Sequence, residues 1–505
     1  MNAARMPSLA FAAMSAAPPA ARAVAQATCK LLVDIPSMPP ASARPHHEAG
    51  AVLTVPVGAA PGWVLRWSFV VFILAALAAR PLLGAGPWTL DRALEMALKD
   101  NPDARIARQR AAGAEALSEQ ARAAWYPQLS LQGRYLETNS PMMAFGSILN
   151  QRAFNFGLDF NHPGRIDDFN VTGTVAYNLY SGGRASAGLA AAKGGVRAAE
   201  QDLRVAQQQL GAGVVKAWLN IRKAREAVGA VEAGAKAYAA AVSVAQARFD
   251  AGQMLKADLL SLEVQLAQTQ ENLAAARHRA ALAERAFLYV LGLDAAGGTV
   301  ELAADDPALA RLTLPDTRDF SGRPELLGLQ QRVRAAEAMV RAARGGRLPT
   351  VNAFASYQYD RGWQLNRAAD SWMAGVAVEL NVFDGGQTSG KIRQATAELE
   401  QVKEMLRQAM LGISLEVEQA RLAYDEAVER LAVTARAVEQ AGESAALSRA
   451  RFEKGALLTA DLIGVESRLI EARMRRAFAA ADERIALAEL RRALGLDPLN
   501  SPSNP

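Results

Sequence analysis

Apolar residues recur every seven positions through two long stretches of the chain. In the first stretch the spacing holds over residues 189–210, shifts by four, and continues over residues 214–249. The second stretch repeats this pattern over residues 392–413 and 417–452. A seven-residue repeat with a four-residue insertion is typical of a coiled-coil seam with a stutter. No proline interrupts residues 184–250, so we predict a helix of roughly 100 Å, at about 1.5 Å per residue.

The two stretches belong to an internal duplication. Residues 381–497 align with residues 178–294 at a constant offset of 203 and without a gap. Upstream, residues 323–357 align with residues 101–135 at an offset of 222. The first copy therefore carries 19 extra residues, which all lie between its two aligned blocks. A duplication of this length favours one body with a two-fold repeat over several unrelated domains.

Short segments between the helical stretches alternate apolar and polar residues. In residues 169–179 the odd positions are apolar apart from Gly173, and residues 375–382 alternate in a similar way. Strict alternation is typical of a strand with one apolar and one polar face. With residues 129–135 and 351–359, each copy supplies one β-hairpin and one pair of long helices. The polar faces, which we expect to line a lumen, carry Asn170, Thr172, Thr174, Asn178, Glu379 and Asn381.

Four strands with one apolar face cannot close into a barrel, and open strand edges are not tolerated in lipid. If the apolar face meets an outer membrane, several chains must pool their strands, and two or three chains would both suffice. The alternative is a soluble sheet packed on helices. The hairpin loops, at 136–168 and 360–371, are expected on the side away from the helices, because each strand pair is entered from a helix and leaves into one.

The N-terminal region precedes the repeats and has a different character. Residues 1–62 are rich in Ala and Pro and lack periodicity, so we expect them to be disordered or absent from the mature protein. An apolar run of 13 residues follows at 67–79, which is too short to span a bilayer at about 20 residues. Its flanks predict a secretory signal peptide over 63–86, with translation beginning near its start. The alternative is a buried core helix.

Composition narrows the classes of function. The net charge of +5 is small for 505 residues, and interleaved charges on helices favour solvated faces over nucleic-acid binding. Cys29 is the only cysteine, which excludes disulfides within the chain and cysteine-based metal sites. The sequence shows no Ser/His/Asp arrangement, zinc-ligand spacing or phosphate-binding glycine motif. We therefore expect no cofactor, no metal and no enzymatic activity.

Several short motifs occur in pairs. They are Asn101-Pro102-Asp103 with Arg323-Pro324-Glu325-Leu326, Tyr126-Pro127-Gln128-Leu129, the strand-end turns at 179–184 and 382–386, Arg248-Phe249-x-x-Gly252 before Asp258-Leu259, and Arg451-Phe452-x-x-Gly455 before Asp461-Leu462. In this order the motifs resemble the TolC-like outer-membrane efflux protein family, also called outer membrane factors. The resemblance extends over Trp88 to Asp497.

The resemblance implies an α+β membrane protein with an internal two-fold repeat. In that fold each chain of a homotrimer adds four strands to a shared transmembrane β-barrel, and its long coiled-coil-like helices form a periplasmic α-barrel. The expected divisions are an extension at 1–62, a signal peptide at 63–86, efflux-protein repeats at 87–297 and 298–497, and a C-terminal tail at 498–505.

The family also implies a function. The chain would be the outer-membrane exit duct of a tripartite efflux pump, contacting lipid, a periplasmic adaptor protein and an inner-membrane transporter. It would pass small solutes such as drugs or metals from the periplasm to the exterior. One alternative is the outer-membrane component of a type I protein-secretion system. An alternative from another class is a soluble periplasmic coiled-coil scaffold.

The helical tips are the predicted functional site. Gly252 and Gly455 suit the left-handed residue that ends a helix, and Asp258 and Asp461 fall at the start of the returning helices. Symmetry would gather these acids into rings that gate the duct and favour cations; the alternative is a simple capped hairpin.

Two further tip predictions concern apolar residues. Where similar proteins place a tyrosine and a basic residue, this sequence has Phe452 and Leu457, which predicts an apolar constriction in place of a hydrogen-bonded lock. Tip residues that are expected to be exposed and to have no packing partners within the chain are predicted to contact the periplasmic adaptor protein. They are Gln253, Met254, Leu255, Ala456, Leu457 and Leu458.

Overall fold

A computed structural model describes residues 87–159, 161–294, 300–303, 306–497 and 499. The predicted extension at 1–62 and most of the tail at 498–505 lie outside the described residues, as does the predicted signal peptide at 63–86. In chain order the elements are α1 (Leu90–Asp100), α2 (Pro102–Arg122), β1 (Gln128–Thr138), α3 (Pro141–Asn150), β2 (Ile166–Tyr180), α4 (Arg184–Asp250), α5 (Lys256–Val290), α6 (Pro307–Ala310), α7 (Pro324–Arg344), β3 (Thr350–Gly362), β4 (Arg367–Glu379), α8 (Gln387–Glu453) and α9 (Thr459–Ala493).

The helices repeat with the offsets seen in the sequence. Helices α4 and α8 each have 67 residues, and α5 and α9 each have 35. Both pairs are separated by 203 residues, and the 21-residue helices α2 and α7 are separated by 222. The predicted uninterrupted helix over residues 184–250 is confirmed. Each long helix begins after a glycine in the left-handed conformation, Gly183 or Gly386.

Each returning helix covers only about half of its long partner, and a shorter helix covers the rest. Helix α5 ends where α2 begins, and the Asn101 side chain donates a hydrogen bond from Nδ2 to the carbonyl oxygen of Val290, 2.8 Å away. At the equivalent junction between α9 and α7, Arg323 Nη1 donates to the carbonyl oxygen of Ala493 at 3.1 Å. Two different side chains thus join equivalent helix ends.

Buried apolar residues form separate clusters along the helices. The largest lies around the junction of α5 and α2 and includes Leu90, Trp218, Ile221, Phe287 and Leu291. A second cluster lies at the far end of the two helical hairpins and includes Tyr238, Ala245, Leu259, Leu262, Phe452 and Leu462. We call this second group the tip cluster. It joins residues of all four long helices, so the two hairpins pack as one unit at their ends.

The four strands form one antiparallel sheet in the order β1-β2-β3-β4. Strands β2 and β3 pair over most of their length and so join the two hairpins. Strands β1 and β4 lie at the sheet edges in the described part of the chain. One face is apolar and exposed, with Leu129 78% and Trp372 76% accessible. Within the described ranges, no helix combines the length and the apolarity that crossing a bilayer requires.

The predicted hairpin loops are wrong in their bounds. In place of a loop over 360–371, β3 and β4 extend toward each other and leave the turn 363–366, where Asn366 takes a positive φ of 46°. The predicted loop over 136–168 contains α3, a helix that packs on the ends of β2 and β4. At the other end, β4 stops at Glu379, so Asn381 lies beyond the strand. Contacts across the sheet set these ends, and the local alternation of residues does not report them.

Candidate functional site

The turns at the ends of the two helical hairpins have the same geometry. Gly252 and Gly455 take φ values of 72° and 77°. The Gly252 N–H donates to the Phe249 carbonyl at 2.9 Å, and the Gln253 N–H donates to the Arg248 carbonyl at 2.8 Å. Equivalent bonds of 2.9 Å join Gly455 to Phe452 and Ala456 to Arg451. A left-handed glycine with these bonds satisfies the last carbonyl groups of a helix.

The two tip acids follow these turns as the sequence predicted, but their surroundings differ. Asp258 lies in the first turn of α5 and is half-buried. Asp461 lies in the first turn of α9 and is exposed. A carboxylate at this position interacts favourably with the positive end of the helix dipole. Of the two acids, Asp461 is therefore the more accessible to solvent.

Phe452 packs inside the tip cluster of its own subunit. Its side chain is only 2% exposed and lies among apolar residues of all four long helices. Leu457 packs against the same cluster and is half-buried. In this conformation the Phe452 ring forms part of the joint between the hairpins, and its role as a constriction stays a prediction.

Two polar contacts join the hairpins across the tip cluster. Arg248 of α4 donates from Nη1 to the carbonyl oxygen of Phe452 at 3.2 Å, and its guanidinium lies 5.7 Å from the centre of the Phe452 ring. Deeper in the bundle, the Tyr238 hydroxyl donates to the carbonyl oxygen of Ile463 at 3.0 Å and lies 2.8 Å from Ser467 Oγ. Burial raises the pKa of Tyr238 above its ordinary value, so the hydroxyl stays protonated and able to donate.

An ion pair with a buried carboxylate lies next to these contacts. Glu466 of α9 is 2% exposed, and both of its oxygens accept hydrogen bonds from the Arg449 guanidinium, the longer one measuring 2.8 Å. The bond to Glu466 raises the pKa of Arg449 above its ordinary value. The pair ties α8 to α9 about one helical turn from Phe452.

The sequence places Arg248 in a tip motif without indicating its partner, which lies 204 residues away in the chain. It does not identify Tyr238, Arg449 or Glu466 as tip residues. The spacing of 17 residues between Arg449 and Glu466 suits facing positions across a hairpin with a short turn. That spacing was the available signal for the ion pair.

The residues predicted to contact an adaptor divide into two groups. Leu255 and Leu458 are 71% and 73% exposed, and Gln253 and Ala456 are also exposed. Met254 and Leu457 are half-buried against the tip cluster. Each turn therefore presents one protruding leucine, at equivalent positions in the two repeats.

Most of the residues predicted to line a lumen lie on the polar face of the sheet. Asn170, Thr172 and Thr174 alternate along β2; Asn170 Nδ2 donates to Asp360 Oδ1 at 2.7 Å, and Thr172 Oγ1 donates to Asn170 Oδ1 at 2.7 Å. Toward the helices, Asn178 pairs with Asn352 in the strand register. Glu379 is the last residue of β4, and Asn381 lies two residues further on and is exposed.

In the described part of the chain, no three His, Cys, Asp or Glu side chains form a group that could hold a metal ion.

Comparisons with known proteins agree with this architecture. The family model described as Outer membrane efflux protein matches residues 93–293 and 320–496. The chain is 26% identical over 278 residues to the outer membrane efflux protein BepC of Brucella suis, a match that covers 50% of this chain and 58% of BepC. It thus spans less than two thirds of that relative. It is also 27% identical over 430 residues to protein CyaE of Bordetella pertussis, covering 80% of this chain and 83% of CyaE.

The fold is similar to that of the CmeC outer membrane channel of Campylobacter jejuni. The TM-score is 0.69 at 15% identity, over 80% of this chain and 85% of CmeC. The predicted resemblance and the combination of a four-stranded sheet with long paired helices are confirmed, as is an outer-membrane location with the helices on the periplasmic side. The family is one of transport proteins, not enzymes. Since the family model matches more than half of the sequence, the chain belongs to the outer membrane efflux protein family.

Proposed function

We propose that this chain is a subunit of the outer-membrane exit duct of a tripartite efflux pump and passes small solutes from the periplasm to the exterior. The sheet is the observation that carries the proposal. It has an exposed apolar face, a polar face and two edge strands, and it leads directly into the long helices. Such a sheet can be stable in lipid only when neighbouring chains pair with its edges.

Three copies would close the sheet into a barrel and surround it with helices. Helix α8 supports this assembly because it exposes a series of large apolar residues in the single chain: Met405, Leu411, Leu415, Leu422 and Val433. Apolar residues in such number on one helix indicate a surface that a partner covers. Neighbouring copies of the chain are the partners that also seal the strand edges.

The helical tips would carry the gate and the contact with a periplasmic adaptor, which links the duct to an inner-membrane transporter. Three copies of the exposed Asp461 would form an acidic ring where the helices end, and such a ring favours cations. Asp258 would contribute less because it is half-buried. Leu255 and Leu458 would provide the apolar contacts with the adaptor. The duct subunit itself would carry out no catalysis on the solutes.

Planar-bilayer recordings of the purified full chain test the proposal. We expect discrete cation-selective channels, and we expect Asp461→Ala to lower cation selectivity and weaken block by multivalent cations. Asp316→Ala is the matched control, because Asp316 is an exposed acid on the connection between the repeats. Absence of channels, with a monomer in detergent, would contradict the duct. If the parent chain forms channels but Asp461→Ala has the same cation selectivity, the proposed role of Asp461 in the gate is wrong and the duct proposal stands.

A further inference from the structure

Helix α3 covers the polar face of the sheet at the end farthest from the long helices. It lies in the connection between β1 and β2, where the first repeat has its extra residues. Ala144 and Ile148 on α3 are buried against Ile166 at the start of β2. The next residue after the helix, Gln151, is fully buried. The extra segment is therefore anchored to the sheet and does not extend as a free loop.

Two carboxylates lie beneath the end of this helix. Asp168 and Asp360 are 3% and 1% exposed. They share a face of the sheet, because Asp360 pairs with Asn170 in the register and Asp168 lies two residues before Asn170. The two groups repel each other, and Arg134 is the cation that acts on Asp168. Burying two like charges so close together is unfavourable unless opposite charge compensates them.

The end of the helix reaches Asp168 through Ser147 in its last turn and through Gln151 just after it. Gln151 Nε2 donates to Asp168 Oδ1 at 3.2 Å and to the carbonyl oxygen of Asp167 at 2.8 Å. Ser147 Oγ lies 3.4 Å from Asp168 Oδ2. The Gln151 amide also lies directly against Gly362, where a Cβ atom would come within 2.1 Å of Gln151 Oε1. Only glycine leaves room for this amide beside the carboxylates.

Two buried oxygens at this place lack hydrogen-bond donors. Gln151 Oε1 and Asp360 Oδ2 have no hydrogen-bond partner among the described residues, and both side chains are at least 99% buried. A buried oxygen without a donor costs about 1–3 kcal/mol, and more when it is charged. These two oxygens, together with the carboxylate of Asp168, form a set of ligands that suits a hard cation.

We propose that a divalent cation of the Ca²⁺ type binds between α3 and the sheet, held by the carboxylates of Asp168 and Asp360 and by the side-chain oxygen of Gln151. Ca²⁺ takes six to eight oxygen ligands in flexible geometry, so water completes a site with two acids and one amide. The ion neutralises the repulsion between the acids and anchors the end of α3. If the polar face lines the duct, which rests on the proposed function, the anchored helix narrows its exterior end.

Terbium luminescence tests the site in the detergent-solubilised full chain, because Tb³⁺ occupies Ca²⁺ sites and is excited by nearby tryptophan. Trp363 provides the tryptophan, because it directly follows Gly362, the residue against which the Gln151 amide lies. We expect saturable emission that Ca²⁺ displaces. Asp360→Asn should weaken binding about tenfold or more. Asp159→Asn, which makes the same charge change at an exposed acid of the same connection, should leave it unchanged.

Emission that does not saturate in the parent chain, or equal affinity in Asp360→Asn, would overturn the site. If Asp360→Asn loses its far-UV circular dichroism, Gln151→Glu replaces it, because a third carboxylate oxygen should tighten Ca²⁺ binding; unchanged or weaker binding would then count against the proposal. Amide hydrogen exchange over residues 141–152 should slow in Ca²⁺ relative to EDTA, and equal rates would contradict anchoring. None of these readouts requires conduction, so the site and the duct can fail separately.

Discussion

Arg248 in the first helical hairpin donates a hydrogen bond to the carbonyl oxygen of Phe452 in the second, over 3.2 Å. The residue equivalent to Arg248 in the second repeat is Arg451, which is exposed. The two repeats are therefore equivalent in backbone and different in this contact. Arg248 thus adds a hydrogen bond between the hairpins that the second repeat does not match.

Replacing Arg248 with Met should loosen the tip. The change removes one hydrogen bond from a charged donor and its contact with the Phe452 ring, which together contribute about 2 kcal/mol. We expect a lower melting temperature and, in planar bilayers, longer or larger openings. Arg451→Met removes the same charge at the equivalent position and should change neither. Equal effects of the two variants would show that charge, and not the contact with Phe452, controls the tip.

Arg449→Met should be among the more destabilising single changes at the tip. Glu466 is buried and would lose the guanidinium that satisfies both of its oxygens. Because the Arg449 side chain is itself 42% exposed, we expect a loss of about 1–3 kcal/mol. The double variant Arg449→Met, Glu466→Leu should recover most of this loss, because it leaves no charge buried. Thermal unfolding of the parent, of Arg449→Met, of Glu466→Leu and of the double variant completes a double-mutant cycle. A double variant no more stable than Arg449→Met would contradict the ion-pair account.

Stability should depend on pH through Glu416 at the junction of α7 and α9. Burial opposes its charge, but hydrogen bonds from Arg323 and Arg492 outweigh burial and hold the pKa of Glu416 below its ordinary value of 4.5. A pKa that is lower in the folded state means that the carboxylate stabilises the fold above the unfolded-state pKa. That contribution is lost as the pH falls through the folded-state pKa.

We therefore expect Glu416→Gln to lower the melting temperature at pH 7, with a difference from the parent that shrinks as the pH falls below about 4.5. Glu418→Gln, two residues away and exposed, is the control and should have little effect at either pH. Melting curves from pH 7 to pH 3 measure the difference. A gap between Glu416→Gln and the parent that stays constant over this range would count against the linkage.

The glycines of α4 and its turn should respond in opposite ways to alanine. Gly252 takes a φ of 72° with no neighbour near the site of a Cβ, so Gly252→Ala should cost about 1–2 kcal/mol from backbone strain alone. Gly213 lies inside α4, also with open space around it, and Gly213→Ala should stabilise by about 0.5–1 kcal/mol. Thermal unfolding of both variants tests this. A stabilising Gly252→Ala would show that the turn does not need the left-handed conformation.

Local patterns predicted the parts of the fold that local energetics decide. The heptad repeat indicated α4 and α8, and the glycine followed by an acid indicated both tips, because helix periodicity and capping act within a few residues. The sequence predicts a loop where helix α3 lies, since Pro141 and the methionines after it carry no heptad signal. Its stability comes from Ala144 and Ile148 packing on Ile166 of β2, a contact that no local window contains.

The same limit applies to the candidate site. Asp258 and Asp461 were identified because their positions follow from the turn. Phe452 was assigned to a constriction from its place in the motif, whereas its burial depends on all four helices. The sequence also could not show that Arg248 and not Arg451 makes the cross-hairpin bond, because the two residues lie in identical motifs.

The uninterrupted long helices also determine how far each subunit reaches. The seam continues without a break through 67 residues, so their length measures the distance between the sheet and the tips. Removing two heptads at matched positions from each of α4, α5, α8 and α9 would shorten that distance by roughly 21 Å and keep the seam in phase. The number of heptads thus sets how far from the sheet the two helical turns lie.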